Sequence, residues 1–151
     1  PEIRRFATAE EESEAVGRWI AERVQEGAAP QEIGVFVRAN EQLKRARAAM
    51  KNAGASSVEF SDKIETEPGK VALSTMHLAK GLEFRAVAVM ACDDEILPLQ
   101  ERIETIADEA DLEEVYDTER HLLYVACTRA RDRLLISGVD PASEFLDDLL
   151  A

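Results

Sequence analysis

Basic residues are scarce in this chain of 151 residues. Lys and Arg number 18 against 31 Asp and Glu, for a net charge of −13 at neutral pH. A bare nucleic-acid-binding module needs the opposite balance, because phosphate attracts Lys and Arg, and an anionic membrane surface makes the same demand. Cysteine is nearly absent. Cys92 and Cys127 cannot build a disulfide framework or, by themselves, a zinc site, and no metal site is expected. Both lie in apolar runs, where a free thiol packs as a small hydrophobe, as suits a reducing, cytoplasmic setting. Long hydrophobic runs are missing as well. The longest, Ala86 to Cys92, falls far below the ~20 residues of a spanning helix, so no membrane partner is expected, and no secretory signal opens the sequence. No Gly-x-x-x-x-Gly-Lys-Ser/Thr loop occurs anywhere, which leaves no built-in cradle for a triphosphate. What is present is enough apolar material for a single core: 46% of residues are hydrophobic, too many for a disordered acidic tail, in a length that suits one domain.

Hydrophobic patterning divides the chain into alternating strands and helices. Glu2 to Ala7 reads as a strand. Thr8 and Glu11 form a capping-box pattern ahead of a helix reaching about Glu26, with Ala15, Val16, Trp19, Ile20, Arg23 and Val24 on or beside its inner face. Ile33 to Arg38 is a buried type of strand. Asn40 is placed to cap a helix over Glu41 to Asn52, which Gly54 ends. Val58 to Phe60 reads as a short strand, Pro68-Gly69 as a turn, and Lys70 to Ser74 as a further strand. Phe84 to Met90 reads as a central strand. An irregular stretch from Ala91 to about Asp111 carries a short helix around Gln100 to Asp108. Leu112 to about Arg131 is mostly helical, Arg133 to Ser137 is the last strand, and Ser143 caps a closing helix to Leu150. This alternation predicts an α/β fold, a mostly parallel sheet with helices on both faces.

In such sheets ligands gather beyond the carboxyl ends of the strands. Three segments set unusual polar residues near strand ends: Ile33-Gly-Val-Phe-Val-Arg38-Ala-Asn40, Thr75-Met-His77-Leu-Ala-Lys80-Gly81-Leu-Glu83-Phe84, and Tyr124-Val-Ala-Cys-Thr128-Arg129-Ala130. The chain here resembles the second RecA-like motor domain, called 2A, of UvrD/Rep-type superfamily 1 DNA helicases. The Thr75–Phe84 segment matches that family's motif V, the Tyr124–Ala130 segment its motif VI, and the segment around Arg38 its motif IV. Motifs V and VI in this order are highly specific; motif IV alone would be weak.

The resemblance implies a single RecA-like domain over residues 1–151 that lacks its own phosphate loop. It implies that Arg38 and Arg129, expected to face one cleft, reach the γ-phosphate of ATP bound with Mg2+ on an N-terminal RecA-like domain of the same protein. A guanidinium fork suits phosphate oxygens, and the two would act as arginine fingers. Glu83, after the turn at Gly81, would accept hydrogen bonds from the ATP ribose. Thr75, His77 and Lys80 would position single-stranded DNA through its backbone without reading sequence. The implied protein is a monomeric ATP-dependent DNA translocase moving from 3′ to 5′ in repair, replication restart or recombination, and the isolated chain is expected to be inactive.

Several features depart from the family. Val37 stands where many relatives carry an aromatic that stacks on adenine. Thr118-Glu119-Arg120-His121 replaces Glu-Glu-Arg-Arg. The short interval before motif V leaves no room for a 2B insertion. Asp93-Asp94-Glu95 imitates a magnesium-binding strand end, but its place after motif V argues against that role. Acid is also unevenly spread: from Asp93 to Glu119 twelve acids face one base, Arg102, a net of −11. This acidic insert, residues 92–119 between motifs V and VI, reads as a solvated loop, or as a surface that repels DNA or docks a basic partner. The alternative function is accordingly a non-catalytic, acidic interaction module derived from a helicase domain.

Overall fold

The computed structural model describes residues 1–60 and 65–150. Six strands form one sheet: β1 (Glu2–Phe6), β2 (Ile33–Val37), β3 (Ser57–Glu59), β4 (Val71–Thr75), β5 (Phe84–Val89) and β6 (Ala130–Val139). Their spatial order is β1-β6-β5-β2-β4-β3, and every neighbouring pair is parallel. The sheet is thus wholly parallel among the described strands. Helices α1 (Ala9–Gln25) and α2 (Leu43–Ala53) cover one face. The other carries α4 (Glu109–Cys127) and the short α5 (Phe145–Leu150), with α3 (Gln100–Glu104) before them.

Alternation along the strands supplies both layers. From β2, Ile33, Val35 and Val37 pack with Val16, Trp19, Ile20, Ala46 and Met50, while Phe36 points to the opposite layer with Phe84, Leu123, Ala126 and Phe145. Every residue of β2 and β4 is buried, as expected of strands covered on both faces.

Local chemistry explains most helix ends. Thr8 Oγ1 accepts the Glu11 amide at 3.1 Å, and the Glu11 carboxylate reaches back to the Ala7 amide at 3.3 Å, which together give a capping box displaced by one residue. Gly54 ends α2 at φ 66°, in the left-handed region that glycine adopts without penalty. Four expectations shift. Asn40 does not cap α2: residues 40–42 form a separate 3-10 turn, and α2 starts at Leu43 without a side-chain cap. Val24 is 40% exposed rather than on the inner face of α1. The long helix begins earlier and ends earlier than its apolar pattern suggests, and β6 starts at Ala130, directly after Arg129. The acidic segment is largely helical, because α3 and most of α4 lie within it.

Helices α1 and α2 meet at Gly17. A Cβ there would lie 2.8 Å from both the Ala49 carbonyl oxygen and the Asn52 Cβ. Alanine adds about 1 kcal/mol of helix propensity, but overpacking against backbone costs about 1–3 kcal/mol. Gly17→Ala is therefore expected to lower stability by up to about 2 kcal/mol, read as a lower urea midpoint at unchanged slope.

Candidate functional site

The polar residues of the three motif-like segments fall into two groups at opposite edges of the sheet. Arg38 follows β2 and Thr75 ends β4, and Val37 pairs with Thr75, so both stand at the carboxyl edge. His77 lies in the 3-10 turn just after β4. Arg38, Asn40, Phe60, Thr75 and His77 line a cleft of about 490 Å³.

Arg38 is 4% exposed, and its partner Glu119 on α4 is fully buried. Arg38 Nε donates to Glu119 Oε1 at 2.8 Å and Nη2 to Oε2 at 2.6 Å, a two-point clasp. The same carboxylate accepts the Leu99 amide at 2.8 Å and Arg102 Nη1 at 2.7 Å. Burial pushes the Glu119 carboxyl up, but the Arg38 hydrogen bonds, the Leu99 amide and the nearby guanidinium charges outweigh it and hold the group below the ordinary carboxylate range.

Arg38 Nη1 lies 3.1 Å from His77 Nε2. Arginine can only donate, so Nε2 accepts and the imidazole carries its proton on Nδ1. Burial and the Arg38 charge, with a smaller push from Arg102, keep His77 below its usual value and neutral, against the opposing pull of Glu119.

The second group stands at the amino edge. Arg129 precedes β6, whose first residue, Ala130, pairs with Phe84, the first residue of β5. Gly81 adopts φ 84° in the turn before β5, and the exposed Glu83 follows it. Arg129 Nη1 donates to the Leu82 carbonyl at 3.3 Å, Nε to the Val125 carbonyl at 3.1 Å and Nη2 to Thr128 Oγ1 at 3.1 Å. The Phe84 amide donates to the Arg129 carbonyl at 2.9 Å. Gly81, Glu83 and Arg129 are therefore neighbours. Lys80 is exposed on the connection between the two edges.

Arg38 comes after its strand and Arg129 before its own, so their backbones stand at opposite ends of the parallel strands. Arg38 joins Thr75 and His77.

A second buried carboxylate braces the opposite layer. Glu12 of α1, fully buried, accepts Arg45 Nε at 2.9 Å, the Ala91 amide at 2.9 Å and Ser137 Oγ at 2.7 Å, with a further bond from Arg45 Nη2. Asp93 holds the other side of Arg45 at 2.7 Å and accepts the Val139 amide at 2.8 Å. The Asp93 carboxylate is thus an internal brace.

Sequence reasoning singled out neither Glu12 nor Glu119. Each sits on the apolar stripe of its helix: Glu12 is followed by Ala15, Val16 and Trp19, and Glu119 by Leu122, Leu123 and Ala126. An acid at such a position is itself a sign of a buried basic partner.

The architecture, a wholly parallel six-stranded sheet between two helical layers, is that of a helicase C-terminal domain. A solved structure described as the C-terminal domain of a possible DNA helicase from Lactobacillus plantarum superposes with a TM-score of 0.70 over 97% of this chain and 78% of that one, at 23% identity. Residues 55–140 match the family described as the UvrD-like helicase C-terminal domain, and the chain belongs to that family. Among curated relatives, it is 45% identical to the ATP-dependent DNA helicase UvrD1 of Mycobacterium leprae over 56% of this chain, and 43% identical to the ATP-dependent DNA helicase PcrA of Staphylococcus aureus over 54%. These alignments take in 11% and 10% of the relatives' lengths, so the chain spans a small part of them.

The Arg38–Glu119 clasp makes a prediction about acid. Because the folded-state carboxyl is held low, its stabilising contribution is fully present above the ordinary carboxylate range and is lost as pH falls through its folded value. Glu119→Gln is expected to cost about 3 kcal/mol at pH 7. That difference should shrink steadily toward pH 3, so that denaturation midpoints of the two proteins converge in acid.

Proposed function

We propose that the chain is the second motor domain of an ATP-dependent DNA helicase or translocase. The observation that carries this reading is the division of its polar residues. One connection, from Thr75 to Phe84, begins among the residues suited to a nucleic-acid backbone and ends among those suited to a nucleotide. Membership of the helicase family supports it, as do the relatives' names.

In this reading Arg129 is the arginine finger. It reaches the γ-phosphate of ATP held on an N-terminal RecA-like domain of the same protein, where a permanent, planar charge stabilises the transferring phosphoryl group. Glu83 accepts from the ribose, and the turn at Gly81 brings it there. Thr75, His77 and Lys80 grip single-stranded DNA by hydroxyl, neutral imidazole and ammonium, without base readout. Arg38, the second arginine of the motif-like segments, is held by Glu119 beside Thr75 and His77. The acids needed for Mg2+ are supplied by the other motor domain, since Asp93 is committed to Arg45. The monomeric, cytoplasmic state and the 3′ to 5′ direction are part of the proposal.

One observation favours the alternative of an acidic docking module. Glu109, Glu113 and Asp117 line a groove of about 700 Å³ with Leu112 and Tyr116 on α4. Kinetics separate the two. In the full-length protein, Arg129→Ala is expected to cut DNA-stimulated ATP turnover by about 10³–10⁵ and to weaken ATP binding far less. Turnover within tenfold of the parent would reject the motor reading.

The DNA track has its own test. Lys80→Ala should weaken single-strand binding about equally across sequences and reduce the salt slope of the binding constant by roughly one charge. An unchanged slope removes Lys80 from the track.

A further inference from the structure

Arg129 is held in place from two sides. Its amide donates to the Ala126 carbonyl at 3.2 Å, and its carbonyl accepts the Phe84 amide at 2.9 Å. The backbone is thus pinned both to the end of α4 and to the start of β5. Three of the five guanidinium N–H groups are also engaged: Nε with the Val125 carbonyl at 3.1 Å, Nη1 with the Leu82 carbonyl at 3.3 Å and Nη2 with Thr128 Oγ1 at 3.1 Å. One N–H on each terminal nitrogen is left over. The residue is partly exposed.

All three partners of this guanidinium are neutral oxygens. Arg45 and Arg120 each meet carboxylates, whereas Arg129 makes no ion pair among the described residues. Its charge is oriented but not neutralised, and its two remaining N–H groups can take phosphate oxygens. Fixing the group beforehand removes rotamer freedom that binding would otherwise cost. It also leaves little to reorganise as charge develops. Two of the three acceptors are main-chain carbonyls; the third is the Thr128 hydroxyl. That hydroxyl lies 2.9 Å from the Val125 carbonyl, which can only accept, so the Thr128 proton goes there. The lone pairs of Oγ1 are then left for Arg129 Nη2. Thr128 is exposed at the end of α4, so this arrangement is no part of the core.

We propose that Thr128 is a positioning residue for ATP hydrolysis: its hydroxyl holds the Arg129 guanidinium in the orientation that meets the γ-phosphate on the neighbouring motor domain. The proposal rests on the motor reading above. Thr128 acts through Arg129 and not by its own contact with ATP. Valine has nearly the shape of threonine but no acceptor, and serine keeps the hydroxyl. The two substitutions therefore separate the hydrogen bond from packing. A preorganised group that acts on the transferring phosphoryl shows itself in turnover and in binding of a transition-state mimic, not in binding of product.

The test uses the full-length protein with ATP and oligo(dT). Thr128→Val should lower the stimulated kcat at least about tenfold, as expected for one hydrogen bond to a charged group. The KM for ATP and the affinity for ADP should stay within about threefold, while affinity for ADP–aluminium fluoride falls at least about tenfold. Thr128→Ser should stay within about threefold of the parent in every measurement. Added to Arg129→Ala, Thr128→Val should cost less than about threefold more, because its route is already gone. A smaller loss in Thr128→Val alone overturns the proposal. So does a larger loss in Thr128→Ser, or a larger further loss on top of Arg129→Ala. A fall in ADP affinity as deep as that for the mimic would make Thr128 merely structural and would also overturn it. In all of these cases the motor reading stands as long as Arg129→Ala by itself lowers turnover more than tenfold. If Arg129→Ala turns over within tenfold of the parent, the motor reading itself fails, whatever Thr128 does.

Discussion

Two guanidinium groups, the buried Arg38 and the largely buried Arg45, are each held by a fully buried carboxylate. An unpaired buried charge is costly, and a paired one is tolerable only when its remaining hydrogen-bonding capacity is satisfied. Glu12 and Glu119 meet that condition in the same way. Each also accepts a backbone amide from the loops after β5, Ala91 in one case and Leu99 in the other. Those loops are irregular and close to the core, so their amides need acceptors. The two acids let the chain leave the sheet without exposing apolar strand ends. Glu12 does this beneath α1 and α2, and Glu119 beneath α4. The helical layers are thereby fixed to the same end of the sheet by similar devices of opposite face.

Most of the fold was legible in the amino-acid order because the strands are apolar runs and the helix ends carry local signals. Thr8, Gly54 and the run from Phe84 act within a few residues of where they stand. Asn40 was not legible as it turned out, since a 3-10 turn takes the place of the expected first helical turn. The two acids were harder still. Their partners lie 33 and 81 residues away, and nothing local specifies such pairs. The two arginines show a different limit. Each sits at the junction of a strand and a helix, and the motif-based reading treated those junctions as equivalent. In a parallel sheet they are opposite: a residue leaving a strand and one entering it face different edges. The information was present in the order strand-then-Arg38 and Arg129-then-strand, but it acquires meaning only once all strands point one way.

Charge is likewise redistributed by the fold. The acidic stretch contains its own neutralisation at both ends, Asp93 on Arg45 and Glu119 on Arg38 and Arg102. The excess is then concentrated on the outer face of α4, where Glu109, Glu113 and Asp117 follow one another at helical spacing. The cleft by Arg38 lies apart from that stripe. A polyanion and a basic partner would therefore meet different sides of the domain.

The connection from Thr75 to Phe84 has little slack. The strand register sets Thr75 level with the residue after Val89, so eight intervening residues must descend roughly 20 Å at 3.3 Å per strand residue. Three of them lie in a 3-10 turn, which advances only about 2 Å per residue. Even full extension of the rest leaves only a few ångströms in hand, and the path must also clear a sheet face packed against α4. Deletions here would pull one edge away from its residues, and insertions would detach one end from the other. The stretch is therefore suited to substitution and not to a change of length.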